Sequence, residues 1–154
     1  MPKATETSTF PAHLAKVPGP IPHPDQGSEA PHRGVVVTGE NGKDGHKAFY
    51  IHIEAKPGKD DEVIQMLRDI YGCVLDEDAT GPWFAIRYSQ TIFGIFEAFP
   101  NIAGRDAHVA GGGGDIFRDN SRMNEILAHP AQVYRVDVLL NKATICESSP
   151  KRRS

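Results

Sequence analysis

The sequence predicts an α+β domain: a ferredoxin-like β-α-β-β-α-β unit with a four-stranded antiparallel sheet and helices on one face. Three observations predict it. Lys47 to Glu54 sets Phe49, Ile51 and Ile53 against Tyr50 and His52 with period two, the mark of a half-buried strand. Asp60 to Leu75 carries Val63, Leu67, Ile70 and Val74 at three- and four-residue spacing, the mark of an amphipathic helix. From Trp83 onward, two short apolar runs, two helical pieces and a last alternating run complete the order.

Each element follows from its residues. Residues 1–45 form a proline-rich arm, largely irregular, with seven of the twelve prolines and few large apolar groups. Such a segment buries too little surface to offset its ordering entropy. His13, His23 and His32 lie in it without metal-ligand spacing and read as solvated. Val35-Val36-Val37-Thr38 is a candidate extra strand, able to dock on a sheet edge of its own chain or of a partner. The domain proper spans residues 46–142. Pro57-Gly58 turns the first strand into the helix, whose Asp60, Asp61 and Glu62 suit the positive end of the helix dipole. Cys73 reads as a small core residue in that helix. Gly81-Pro82 leads into Trp83 to Tyr88, and Ser89-Gln90 makes a hairpin with Thr91 to Phe99.

Pro100 ends this third strand, since proline cannot donate to a ladder. Asn101 then caps a helix from Ile102 to Ala110. The run Gly111 to Gly114 reads as the end of that helix, or as a hinge or lid. A second piece, roughly Ile116 to Leu127, follows. Gln132 to Leu140 is the last strand, and residues 143–154 are a tail. The sheet face away from the helices is expected to mix His52, Arg87, Arg135 and Asp137 with Tyr50, Trp83, Phe93 and Ile95. A partly apolar open face predicts a two-fold homodimer.

Composition narrows the function. The 154 residues are 39% hydrophobic and 24% charged, with a formal net charge of −3. This fits a globular domain and argues against nucleic acid as a main partner. Lys151-Arg152-Arg153 reads as a solvated tail. No apolar run nears the ~20 residues that span a bilayer, and the N-terminus lacks a secretory apolar region. With two cysteines, Cys73 and Cys146, a reducing cytoplasmic setting is expected. No phosphate-cradling motif, Ser-His-Asp arrangement or zinc spacing is present in the sequence.

One resemblance adds to this reading. The residues that carry it are Glu54-Ala55-Lys56-Pro57-Gly58-Lys59, Gly81 to Tyr88, Phe93 to Pro100, Gly104-Arg105-Asp106-Ala107-His108, and Val136 to Leu139. Over about residues 46 to 142 the chain resembles the antibiotic biosynthesis monooxygenase family of dimeric α/β barrels. The resemblance implies two sheets packed face to face and a pocket between each sheet and its helices. Characterised members oxidise aromatic polyketides, such as anthrones, with molecular oxygen and neither metal nor flavin; others degrade haem or oxidise quinols. Haem-degrading relatives keep an asparagine on the first strand, and Phe49 to Glu54 has none.

The expected activity is thus a cofactor-independent monooxygenase or oxidase acting on a small aromatic molecule, with oxygen as co-substrate and no metal. Its needs are a base, donors for an enolate and a dry pocket. His108 is the candidate base, the alternative being a packing role at a helix end. Arg87 either stabilises an oxyanion or pairs with Asp137. Tyr88 is a candidate donor. Trp83, Phe84, Phe96 and Phe117 are candidate pocket walls or core. Tyr50 either donates to substrate or packs, and His52 lines either the pocket or the dimer interface. His129 reads as solvated. A cyclase, isomerase or dehydratase using the same base, or a non-catalytic dimeric binding protein, are the competing readings.

Overall fold

The computed structural model describes residues 31–39, 44–143 and 145. His13, His23, most of the arm and most of the C-terminal tail lie outside these residues. The elements in order are β1 (Val35–Gly39), β2 (Lys47–Glu54), α1 (Asp60–Val74), β3 (Trp83–Arg87), β4 (Ile92–Phe99), α2 (Ile102–Val109), α3 (Gly112–Arg118), α4 (Asn120–Ile126) and β5 (Ala131–Asp137).

The sheet order is β1-β5-β2-β4-β3. Four of the five strands, β5, β2, β4 and β3, are the antiparallel set that the sequence predicts, in ferredoxin-like order. The fifth strand is the correction: Val35–Gly39 pairs in parallel with β5 of its own chain, from Val35↔Ala131 to Gly39↔Arg135. β5 also stops at Asp137, short of Leu140, and Leu139 and Leu140 are exposed.

The core lies between the helix-side face of the sheet and α1, α3 and α4. α1 buries Val63, Met66, Leu67, Ile70 and Val74 against Phe49, Ile51, Ile53, Phe93 and Ile95. Each such side chain stabilises by roughly 1.5–3 kcal/mol when fully buried. Cys73 is only half-buried, since it lies beside this stripe.

Two helical expectations are corrected. Gly111 follows the end of α2 at Ala110, as expected, but the run is not a loop: Gly111 caps α3 and Gly112–Gly114 form its first turn. The reason is close packing. A Cβ on Gly114 would lie 2.0 Å from the Val109 carbonyl oxygen, and one on Gly112 would lie 2.7 Å from Cys73 Sγ. The expected helix from Ile116 to Leu127 is broken at Asp119. That residue leaves helical geometry (φ −74°, ψ 84°), and its side chain accepts from Arg122 N at 3.1 Å to cap α4.

The open face also differs from expectation. The register sets Phe49 opposite Glu97 and Arg135, Ile53 opposite Phe93, Lys47 opposite Asp137, Trp83 opposite Glu97 and Arg87 opposite Phe93. Cross-strand partners share a face. Trp83, Arg87, Phe93, Ile95, Arg135 and Asp137 therefore face the helices. The open face instead carries Tyr50, His52, Phe84, Ile86, Phe96 and Tyr134, and is more apolar than expected. Ile145 packs onto one end of it, against Ala48 and Ala98.

Candidate functional site

α2 is the element that builds the site. Asn101 Oδ1 accepts from Gly104 N at 2.9 Å and fixes where the helix begins. Gly104, Arg105 and His108 then fall on its buried face, one turn apart. His108 packs against the rings of Phe99 and Phe49, at centroid distances of 5.1 and 6.2 Å.

Both ring nitrogens of His108 meet carboxylates. Nδ1 lies 2.5 Å from Glu77 Oε2, and Nε2 lies 2.9 Å from Glu97 Oε1. Thr80 Oγ1 donates to the same Glu77 oxygen at 2.8 Å. A histidine that serves two carboxylates must donate from both nitrogens, so it is the imidazolium. Burial by itself lowers the His108 pKa. Hydrogen bonding and charge from Glu97, then from Glu77, outweigh that and raise it from 6.5 to about 9. The sequence hint for Glu97 is a lone acid on the buried face of an apolar strand, which demands a cationic partner. Glu77 left no such hint beyond its acidic loop.

A cavity of about 530 Å³ opens beside this set, between the sheet and helices α2 and α3. Its apolar walls include Phe49, Ile51, Val133 and Phe117; its polar ones include Glu97, His108 and Arg105. Arg105 is buried, with Nε 3.8 Å from Asp106. Glu97 Oε2 is buried and has no hydrogen-bond partner among the described residues.

Of the residues singled out from the sequence, the cavity brings together His108 and Phe117. Trp83 stands elsewhere, in a groove of about 410 Å³ with Tyr71 and Phe93, its ring 5.7 Å from that of Tyr71. Arg87 does not pair with Asp137, because β3 and β5 lie on opposite sides of the β2–β4 pair. Arg87 Nη2 instead reaches Asp60 at 3.2 Å, and the guanidinium lies over Phe93 at 5.0 Å. Asp137 pairs with Lys47. Tyr88 is exposed at the hairpin. Tyr50, Phe84 and Phe96 are on the open face, Tyr50 stacking on Tyr134 at 6.0 Å.

His52 is on that face too. Burial and the nearby charge of His129 lower its pKa, with Glu54 opposing them. His129 is not solvated but buried, and Nε2 lies 2.8 Å from Glu54 Oε2. His32 is likewise half-buried and hydrogen-bonded. No cluster of three His, Cys, Asp or Glu able to hold a metal ion occurs among the described residues. No described helix is long and apolar enough to cross a membrane.

No family model and no curated protein matches this chain. Solved structures do. A Nitrosomonas europaea protein of unknown function is 29% identical, with a TM-score of 0.59, covering 67% of this chain and 98% of that one. A proposed antibiotic biosynthesis monooxygenase from the same organism is 15% identical, with a TM-score of 0.55 and coverage of 65% and 96%. Another, from Caulobacter crescentus, is 17% identical, with a TM-score of 0.53 and coverage of 63% and 92%. At such identities the last two establish the fold that these chains share.

Proposed function

We propose that this chain, which has the fold of the antibiotic biosynthesis monooxygenases, is a cofactor-independent oxygenase or oxidase for a small aromatic, polyketide-like substrate. One observation supports the reading above others. Glu97 lines an apolar cavity, and one of its carboxylate oxygens is buried without a hydrogen-bond partner among the described residues. A buried acceptor left unpaired is costly unless a ligand completes it.

The chemistry assigns roles as follows. A substrate methylene conjugated through aromatic rings to a ketone, as in anthrone, loses a proton to the Glu97 carboxylate. His108 does not take it, since its nitrogens already carry protons at neutral pH; it holds Glu97 through Oε1 instead. Arg105, on the same cavity wall, faces the negative charge that develops on the ketone oxygen. The carbanion adds molecular oxygen to form a carbon–oxygen bond and a peroxide, which takes the proton back. Loss of water then leaves a second carbonyl. One oxygen atom enters the product and one leaves as water, and the substrate supplies all the electrons. The acting unit is a two-fold homodimer joined through the open sheet face.

The Glu-His-Glu set moves protons only. That favours one second reading, a cyclase, isomerase or dehydratase with Glu97 in the same role. Oxygen uptake with anthrone, after dialysis against a chelator, separates the two. The oxygenase reading expects uptake by the wild type and a loss of about 10²–10⁴-fold in Glu97→Gln. No uptake by the wild type overturns it.

A further inference from the structure

We propose that β1 is a wall that sets the size of the substrate, with Val35 and Val37 as its specificity-determining side chains; the inference rests on the cavity being the substrate site. β1 stands outside the β-α-β-β-α-β unit and is added beyond β5. Its register puts Val35 beside Ala131 and Val37 beside Val133, so both valines share the face that carries Phe49 and Ile51. Both line the cavity. Val35 packs against the core, and Val37, 51% exposed, stands at the rim. Were β1 absent, the cavity would lose these two side chains and its outer edge would be β5.

The wall is fastened at both ends. At its start, Asn124 Oδ1 of α4 accepts from His32 N at 2.6 Å, and Asn124 Nδ2 donates to His32 O at 2.9 Å. The His32 ring bridges Gly34 N at 3.0 Å and the Leu127 carbonyl at 3.2 Å, which assigns Nδ1 as acceptor and Nε2 as donor. Gly34 takes φ +79°, and a Cβ there would lie 2.5 Å from Asn120 Oδ1. At the far end, Arg135 Nη2 donates to the Gly39 carbonyl at 3.0 Å. A Cβ on Gly39, at φ +99°, would lie 2.3 Å from the Arg135 carbonyl oxygen. Only glycine permits that approach. β-Branched side chains are restricted at χ1, so on a strand anchored in this way they have little freedom to yield. A fixed apolar wall discriminates by size, and one methylene in an apolar pocket is worth about 10-fold or more.

The test measures dissociation constants calorimetrically for 1-naphthol, anthrone and a four-ring hydroxynaphthacene. The proteins are full-length wild type, the Val35→Ala/Val37→Ala double variant, and Val37→Trp. The wall predicts that Val37→Trp weakens anthrone by about tenfold relative to naphthol, and that the double variant tightens the four-ring compound by about tenfold relative to naphthol. Asn124→Ala, which unfastens the wall, shifts the same ratio in the direction of the double variant; circular dichroism establishes that each variant is folded. Unshifted ratios in every variant, or no binding by the wild type, overturn the proposal. Oxygen uptake is scored separately. Shifted ratios without uptake keep the wall and remove the oxygenase, whereas uptake with unshifted ratios does the reverse.

Discussion

A histidine with a carboxylate on each nitrogen keeps its proton well above the ordinary range, and folding is linked to that proton. The His108 pKa is near 6.5 in an unfolded chain and about 9 in the fold. The folded state therefore binds the proton more tightly, and the resulting stability is fully present below pH 6.5. It declines as pH rises and is gone above about 9, a change on the order of 3 kcal/mol. Melting temperature is expected to fall between pH 6.5 and 9.5, and His108→Gln is expected to flatten that slope. A wild-type melting temperature constant across this window refutes the ion set. At this scale the sequence was half legible. His108 stood out through the motif it ends, but its charge state depends on Glu97, on another element, and then on Glu77, 31 positions away. No local pattern announces such a contact.

Alternation located β2 and the 3.6-residue period located α1, because each buries one face, whereas the turn signals Gly81-Pro82 and Ser89-Gln90 located the β3–β4 hairpin. The pattern was less informative where both faces of a strand are apolar. In β4, residues Ile92, Phe93, Ile95 and Phe96 are all hydrophobic, and only pairing with β2 decides that Phe93 and Ile95 face the helices. The glycine run was illegible for a different reason. Its meaning lies in what stands within a Cβ radius, not in chain flexibility. Two substitutions test this. Gly114→Ala drives a Cβ into the Val109 carbonyl and is expected to cost more than about 2 kcal/mol. Gly72, inside α1, has nothing within 4 Å of its would-be Cβ, so Gly72→Ala is expected to gain roughly 0.5–1 kcal/mol. Denaturant titration measures both. A neutral Gly114→Ala would mean that α3 gives way and that the run is a hinge after all.

At the scale of the whole molecule, the unresolved demand is the outer face of the sheet. Tyr50, Phe84 and Ile86 are 41%, 54% and 48% exposed there, next to Phe96 and Tyr134. Ile145 covers only the end near Ala48 and Ala98. Apolar area of this kind is normally covered. A second copy covers it most simply, because a two-fold axis through the sheet sets the same patch against itself. Stable interfaces bury about 1,200–2,000 Å² in total, and a packed sheet face supplies area of that order. The wild type is expected to sediment at twice the monomer mass at micromolar concentration. Phe84→Glu with Ile86→Glu is expected to give a folded monomer, since two carboxylates per copy would be desolvated opposite each other. Leu140→Glu, at a residue 93% exposed beyond the end of β5, is expected to leave the mass unchanged. A monomeric wild type would leave the open face without a partner and remove the dimer from the proposed function. The cavity lies on the other side of the sheet. Oxygen uptake by the Phe84→Glu/Ile86→Glu monomer would therefore show whether catalysis needs the dimer at all.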